Sequence, residues 1–333
     1  MHFYAVVALS AFLLFLVQPL IARQILPWFG GSSAVWTTCM LFFQGALLLG
    51  YAYADVAPRK LGPARQPRVH IALALATLLL LPILAPESWK PGGNEEPISR
   101  ILMLLAVTIG LPYVLLSTTS PLIQSYFARL QPGRDPYRLF ALSNAASLAA
   151  LVAYPLVIEP YVGTRRQAWG WSALFALFVV LLAALAWRVA RAGQGGARSM
   201  SAVASDDAAP SSASAEATVA PLRTRLRWVA LSAAGSMLLL AVSNHITQNV
   251  ASVPLLWILP LTLYLLTFIL TFDGTGWYRR GPFAGLFFVA IVAMCFLLLS
   301  KDYQFDLIVQ TSTFCAGLFV VCMVCHGELV LAK

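Results

Sequence analysis

One stretch of this chain gathers side chains that could do chemistry. Within Ser243–Pro254, the residues Asn244, His245, Thr247, Gln248 and Asn249 all carry hydrogen-bonding side chains, and long apolar runs lie on both sides, at 228–242 and 255–272. Polar side chains and irregular backbone at bilayer depth are tolerated only where they face protein or a wet cavity. The stretch therefore either lines a site for a polar ligand or forms a short loop capping two helices. Gln18 and Gln44 lie in or near the ends of other apolar runs. Their amides suit the same ligand, or serve as hydrogen-bonding glue between helices. Glu159 is the acidic candidate should the ligand be a cation, and otherwise faces water. Asn144 and Ser147 stand with Ser143, Ala146, Ala150 and Ala153. Small residues three or four apart let helices approach closely, so packing is the expected role there.

A second constellation is Cys322-Met323-Val324-Cys325-His326, which matches the C-x-x-C-H attachment motif of c-type haem. Haem attachment takes place outside the cytoplasm, whereas the charge distribution described below puts this helix end inside. Packing at a helix end is the expected role, and no metal or cofactor is assigned. The other cysteines, Cys39, Cys295 and Cys315, also lie within apolar runs and read as small core residues, not a disulfide framework. No G-x-G-x-x-G motif, P-loop, paired carboxylates in a soluble domain or Ser/His/Asp order stands out. No catalytic residue is assigned.

These residues must be positioned by helices in lipid. The chain is 60% hydrophobic and 11% charged over 333 residues. A soluble domain carries about 25% charged residues. The chain is expected to be an all-α polytopic membrane protein. Its net charge of +9 reflects basic cytoplasmic loops and not a nucleic-acid partner. The apolar start at 1–22 lacks a basic leader region and a cleavage site, and reads as a retained helix. Spans need about 20 apolar residues. Ten segments qualify: 3–22, 34–54, 70–86, 101–128, 138–160, 167–189, 228–246, 254–273, 283–300 and 307–329. The fourth is long for one straight span, and Ser117–Pro121 is expected to kink or end its helix.

With the N-terminus inside, sixteen basic residues fall in inner loops and six in outer ones. Both termini are then cytoplasmic. Residues 191–226 are rich in Gly, Ala, Ser, Asp and Thr and read as a flexible cytoplasmic linker. It separates a six-helix half, 1–190, from a four-helix half, 227–333. Six helices, a central linker and more helices give a major-facilitator-like two-half arrangement with an incomplete second half. The halves echo each other: helix 1 is expected to break at Gln18-Pro19 before Trp36, and helix 7 at Asn244–Asn249 before Trp257. Matching breaks point to a transporter-like site, although Trp also favours the membrane interface in its own right.

Five blocks carry a resemblance: Leu16–Ala22, Gly30–Met40, Leu142–Asn144, Val253–Leu261 and Cys325–Leu329. Together they resemble the membrane half of the fused major-facilitator/spermidine-synthase-like proteins of bacteria. In that family further helices and a cytoplasmic spermidine-synthase-like domain follow, and any aminopropyl- or methyltransferase-like activity resides there. The resemblance implies a multi-pass protein of the bacterial inner membrane. Its partners would be the lipid bilayer, a cytoplasmic spermidine-synthase-like domain or subunit, and a small polar or cationic ligand such as a polyamine. Three roles follow: a module that binds or passes such a substrate for the enzyme domain, a stand-alone secondary transporter, or a structural anchor. A functional cavity requires Asn244, His245 and Gln248 to face Gln18 and Gln44. An anchor requires a closed, Leu-filled centre.

Overall fold

The computed structural model describes residues 2–30, 33–91, 96–131, 137–203, 221–247, 258–272, 276–300 and 306–332. Every regular element among them is helical. In hydrocarbon a helix satisfies its own backbone, and the apolar composition calls for that solution. Eight described helices are long and apolar enough to cross a membrane, and the apolar helix Ile258–Phe272 adds 15 residues.

Helix α1 (His2–Phe29) is the spine of the first half. It packs on α4 (Leu111–Leu130), α5 (Tyr137–Ala153) and α7 (Thr164–Val203). Contrary to the sequence expectation, α1 does not break at Gln18-Pro19: it runs through Pro19 and Pro27. Proline inside a membrane helix is tolerated when neighbouring helices re-satisfy the freed groups. Separately, the indole Nε1–H of buried Trp171 donates to the Leu13 carbonyl across the α1–α7 contact, at 3.0 Å.

Helix α2 (Ser33–Thr77) is a hairpin of two helical arms hinged at Gly62, whose φ of 71° and ψ of 171° leave the helical region. Positive φ costs glycine little, and that permits the elbow. Higher on the first arm, a Cβ on Gly50 would collide with Ser117 Oγ of α4, so glycine sets how closely these helices approach.

The segment 70–86, expected to be a third span, is a shorter helix. It ends at Thr77, adds one 3₁₀ turn at Leu78–Leu80, and becomes extended at Leu81 before Pro82. Side chains repay the lost ladder. The Ile83 N–H donates to Ser172 Oγ at 3.3 Å. Gln24 donates to the Ile83 carbonyl at 3.3 Å and accepts from the Ala85 N–H at 3.1 Å.

The fourth span also departs from expectation. Pro121 does not end it: α3 (Pro97–Leu105), a π turn (Ala106–Gly110) and α4 form one run. The interruption lies just before Pro112, which supplies no N–H for a regular turn. A second π turn, Tyr154–Ile158, joins α5 to the short α6 (Glu159–Tyr161) around Pro155.

The helix α7 continues to Val203 and α8 (Leu222–His245) begins at Leu222, so both ends of the stretch read as a linker are helical. Residues 204–220 lie outside the described residues. The second half comprises α8, α9 (Ile258–Phe272), α10 (Arg280–Leu299) and α11 (Leu307–Leu331). Helix α11 packs on the other three. The halves meet at α5 and α9, where Phe140 packs on Phe268 and Phe272 at ring distances of 5.9 and 5.1 Å. Leu151, Ile258 and Leu265 fill the same seam.

Candidate functional site

The candidates read from the sequence enter separate contacts. Gln18 is buried, and its amide donates to the Tyr113 hydroxyl of α4 at 3.1 Å. Tyr113 in turn packs on Phe43 of α2, 5.0 Å between ring centres. Gln44 is exposed on α2. Asn244 is exposed at the end of α8. His245, half-buried beside it, packs its ring on Phe314 of α11 at 4.3 Å. Gln18 is thus engaged within the first half and His245 within the second. Gln248 and Asn249 lie outside the described residues.

Glu159 lies 3.7 Å from Arg23 Nη1, which also donates to the Glu159 carbonyl at 3.0 Å. The other described carboxylates within the spans are Asp55 and Glu328. Asp55 pairs with Arg59 one helical turn away. Glu328 accepts from Arg227 at 2.9 Å and from Arg280, and Tyr278 donates to it at 3.0 Å. Glu328 thereby ties α8 and α10 to the end of α11. Burial, and then the bond to this carboxylate, push the Tyr278 phenol up to about 12. Each of the three carboxylates has an arginine partner.

The C-x-x-C-H residues face the interior of the second half. Cys322 approaches the Gly235 carbonyl at 3.9 Å, and Cys325 is buried. His326 Nδ1 lies 2.9 Å from Thr267 Oγ1, and its ring stacks on Phe268 at 3.8 Å. Thr267 Oγ1 already donates its proton to the Tyr264 carbonyl at 2.7 Å. Nδ1 must therefore be the donor to Thr267, which leaves Nε2 with its lone pair and no protein partner. This histidine is held by α9 on one side, while Nε2 faces Gly235 of α8.

A second buried histidine was not among the candidates. His70, on the second arm of α2, stacks on Tyr53 of the first arm at 5.8 Å. Neither ring nitrogen of His70 has a partner. One turn away, Gln66 accepts from the Tyr126 hydroxyl of α4 at 2.6 Å, while its Nε2 is unpartnered. The Tyr53 hydroxyl lies beside the Gln66 amide, outside hydrogen-bonding geometry, and is unpartnered too. The spacing of Gln66 and His70, four apart on one helical face, was the sequence signal for this cluster. It went unread because these residues straddle the start of an expected span.

Two surface depressions occur at the other end of the bundle. Arg165, Arg166 and Trp169 help line one, and Trp89, Glu96 and Arg100 the other. Neither contains a candidate residue. No protein-family model, curated protein or solved structure matches the chain.

Proposed function

We propose that this chain is the membrane module of a spermidine-synthase-like assembly. In this reading it is a two-half, transporter-like body in a bacterial inner membrane, with both termini cytoplasmic. It binds or passes a small polar solute for an enzyme domain on the cytoplasmic side. The two arms of α2 and the helix α9 complete ten crossings.

The observation that carries the reading is a packing order that recurs in both halves. In the first, the α3–α4 run packs on α2 and on α1, while α1 and α2 touch only lightly. In the second, α11 packs on α9 and on α8, while α8 and α9 touch only lightly. Repeated halves are how many secondary transporters are built, with the substrate near their interface. The arginine-paired carboxylates favour a solute held by hydrogen bonds over a bare polycation.

The competing reading is a structural anchor, and the engagement of Gln18 by Tyr113 favours it. Uptake by proteoliposomes separates the two. Radiolabelled spermidine, methionine and glycerol are offered to vesicles with and without the protein. Saturable uptake of at least one is expected. Equal signals from protein-containing and empty vesicles for all three would leave the anchor.

A further inference from the structure

We propose that Tyr53, Gln66 and His70 form a binding site for the oxyanion of a small acid beneath the Gly62 elbow. The site deepens the proposed role, and rests on it, by giving the solute an acidic group.

The unpartnered atoms are Tyr53 Oη, Gln66 Nε2 and both ring nitrogens of His70. They carry two amide N–H groups, one imidazole N–H and one phenolic O–H. Each such group carries an uncompensated desolvation cost when buried without a partner. His70 and Gln66 are 0% and 1% exposed.

The chemistry of the missing partner follows. A cation is repelled by N–H and O–H groups. A water molecule brings two donors of its own and leaves the surplus in place. An acceptor with several lone pairs and no protons satisfies them together, and an ionised oxyanion is the strongest such acceptor.

A second observation selects charge. The elbow above the cluster carries exposed Arg59, Lys60, Arg65 and Arg68 against one carboxylate, Asp55. A basic rim of this kind raises the local concentration of anions. The donors lie about one to two and a half helical turns below it, at Gln66 and His70 on one arm and Tyr53 on the other. The oxyanion can come from a free acid or from an anionic lipid headgroup, and the test separates the two.

The full chain is placed in nanodiscs of phosphatidylcholine, and thermal unfolding is followed by tryptophan fluorescence. Sodium acetate and sodium phosphate are titrated against sodium chloride at equal ionic strength. A saturable rise in Tm beyond the chloride control is expected with at least one of them. Tyr53→Phe keeps the ring that stacks on His70 and removes one donor. Its titration midpoint should rise about tenfold, as when a built polar site loses one partner. Arg65→Gln/Arg68→Gln should raise the midpoint less and flatten its dependence on salt. Stabilisation only in discs containing phosphatidylglycerol, and lost in Tyr53→Phe, would support the site with a lipid as its source. Shifts equal to the chloride control in every disc, or the same in parent and Tyr53→Phe, would overturn it. Loss of vesicle uptake with the acetate shift retained would break the carrier reading and keep the site.

Discussion

The two buried histidines stand in contrasting surroundings. His326 has one nitrogen bonded to Thr267 and its ring pressed on Phe268, which itself packs on Phe140 across the seam between halves. His70 has neither nitrogen bonded and a looser stack on Tyr53. The histidine in the sparser half is thus the better satisfied one. The first half has a broad apolar core around Leu13, Trp171, Phe175 and Phe178. In the second, α10 presents most of its length outward, with Phe288 at 73% exposure. Dense apolar packing and satisfied polar groups are therefore separate properties here. The first half leaves a buried polar cluster unpartnered inside dense packing, whereas polar groups of the second hold helices together.

The largest expected effect tests the dense core. Phe175 is fully buried, stacked on Trp171 at 5.0 Å and tilted against Phe178 at 5.7 Å. Phe175→Ala should cost about 3–5 kcal/mol, as for a large side chain removed from a packed core. It should abolish a monodisperse peak in size-exclusion chromatography, and a peak like the parent's would show that the first half is not close-packed.

A smaller effect is expected at Thr267. Thr267→Val keeps the shape and removes the oxygen that accepts from His326, leaving a second ring nitrogen unpaired. A loss of about 1–2 kcal/mol should appear as a lower Tm in detergent. An unchanged Tm would mean that the histidine finds another acceptor, and the contrast with His70 would fade.

The smallest effect is expected on α10. Phe288→Ala should leave stability within about 0.5 kcal/mol of the parent's, read as a nearly unchanged Tm, because the ring meets little of the protein. A fall as large as that of Phe175→Ala would show the outward face of α10 to be packed on protein in the working assembly.

Much of this was legible in the residues themselves. Mean composition decides the solvent, and continuous apolar runs in lipid have only helices to adopt, so the class and most helix positions followed from the sequence alone. Proline and glycine were legible only in part. Gly62 marks a true elbow, but Pro19 and Pro121 do not end their helices. The end of the third segment at Thr77 depends on Gln24 and Ser172, residues distant in the chain that accept the irregular backbone.

The polar candidates show where local reading stops. The sequence alone determined which residues carry hydrogen-bonding groups in apolar surroundings: Gln18, Glu159, His245 and His326 among them. Only the tertiary structure decided their partners: Tyr113 for Gln18, Arg23 for Glu159, Phe314 for His245 and Thr267 for His326. It also left Tyr53, Gln66 and His70 together with donors unspent. A hydrogen bond requires two groups within about 3 Å, and helix packing alone brings together residues from separate helices or from the two arms of a hairpin.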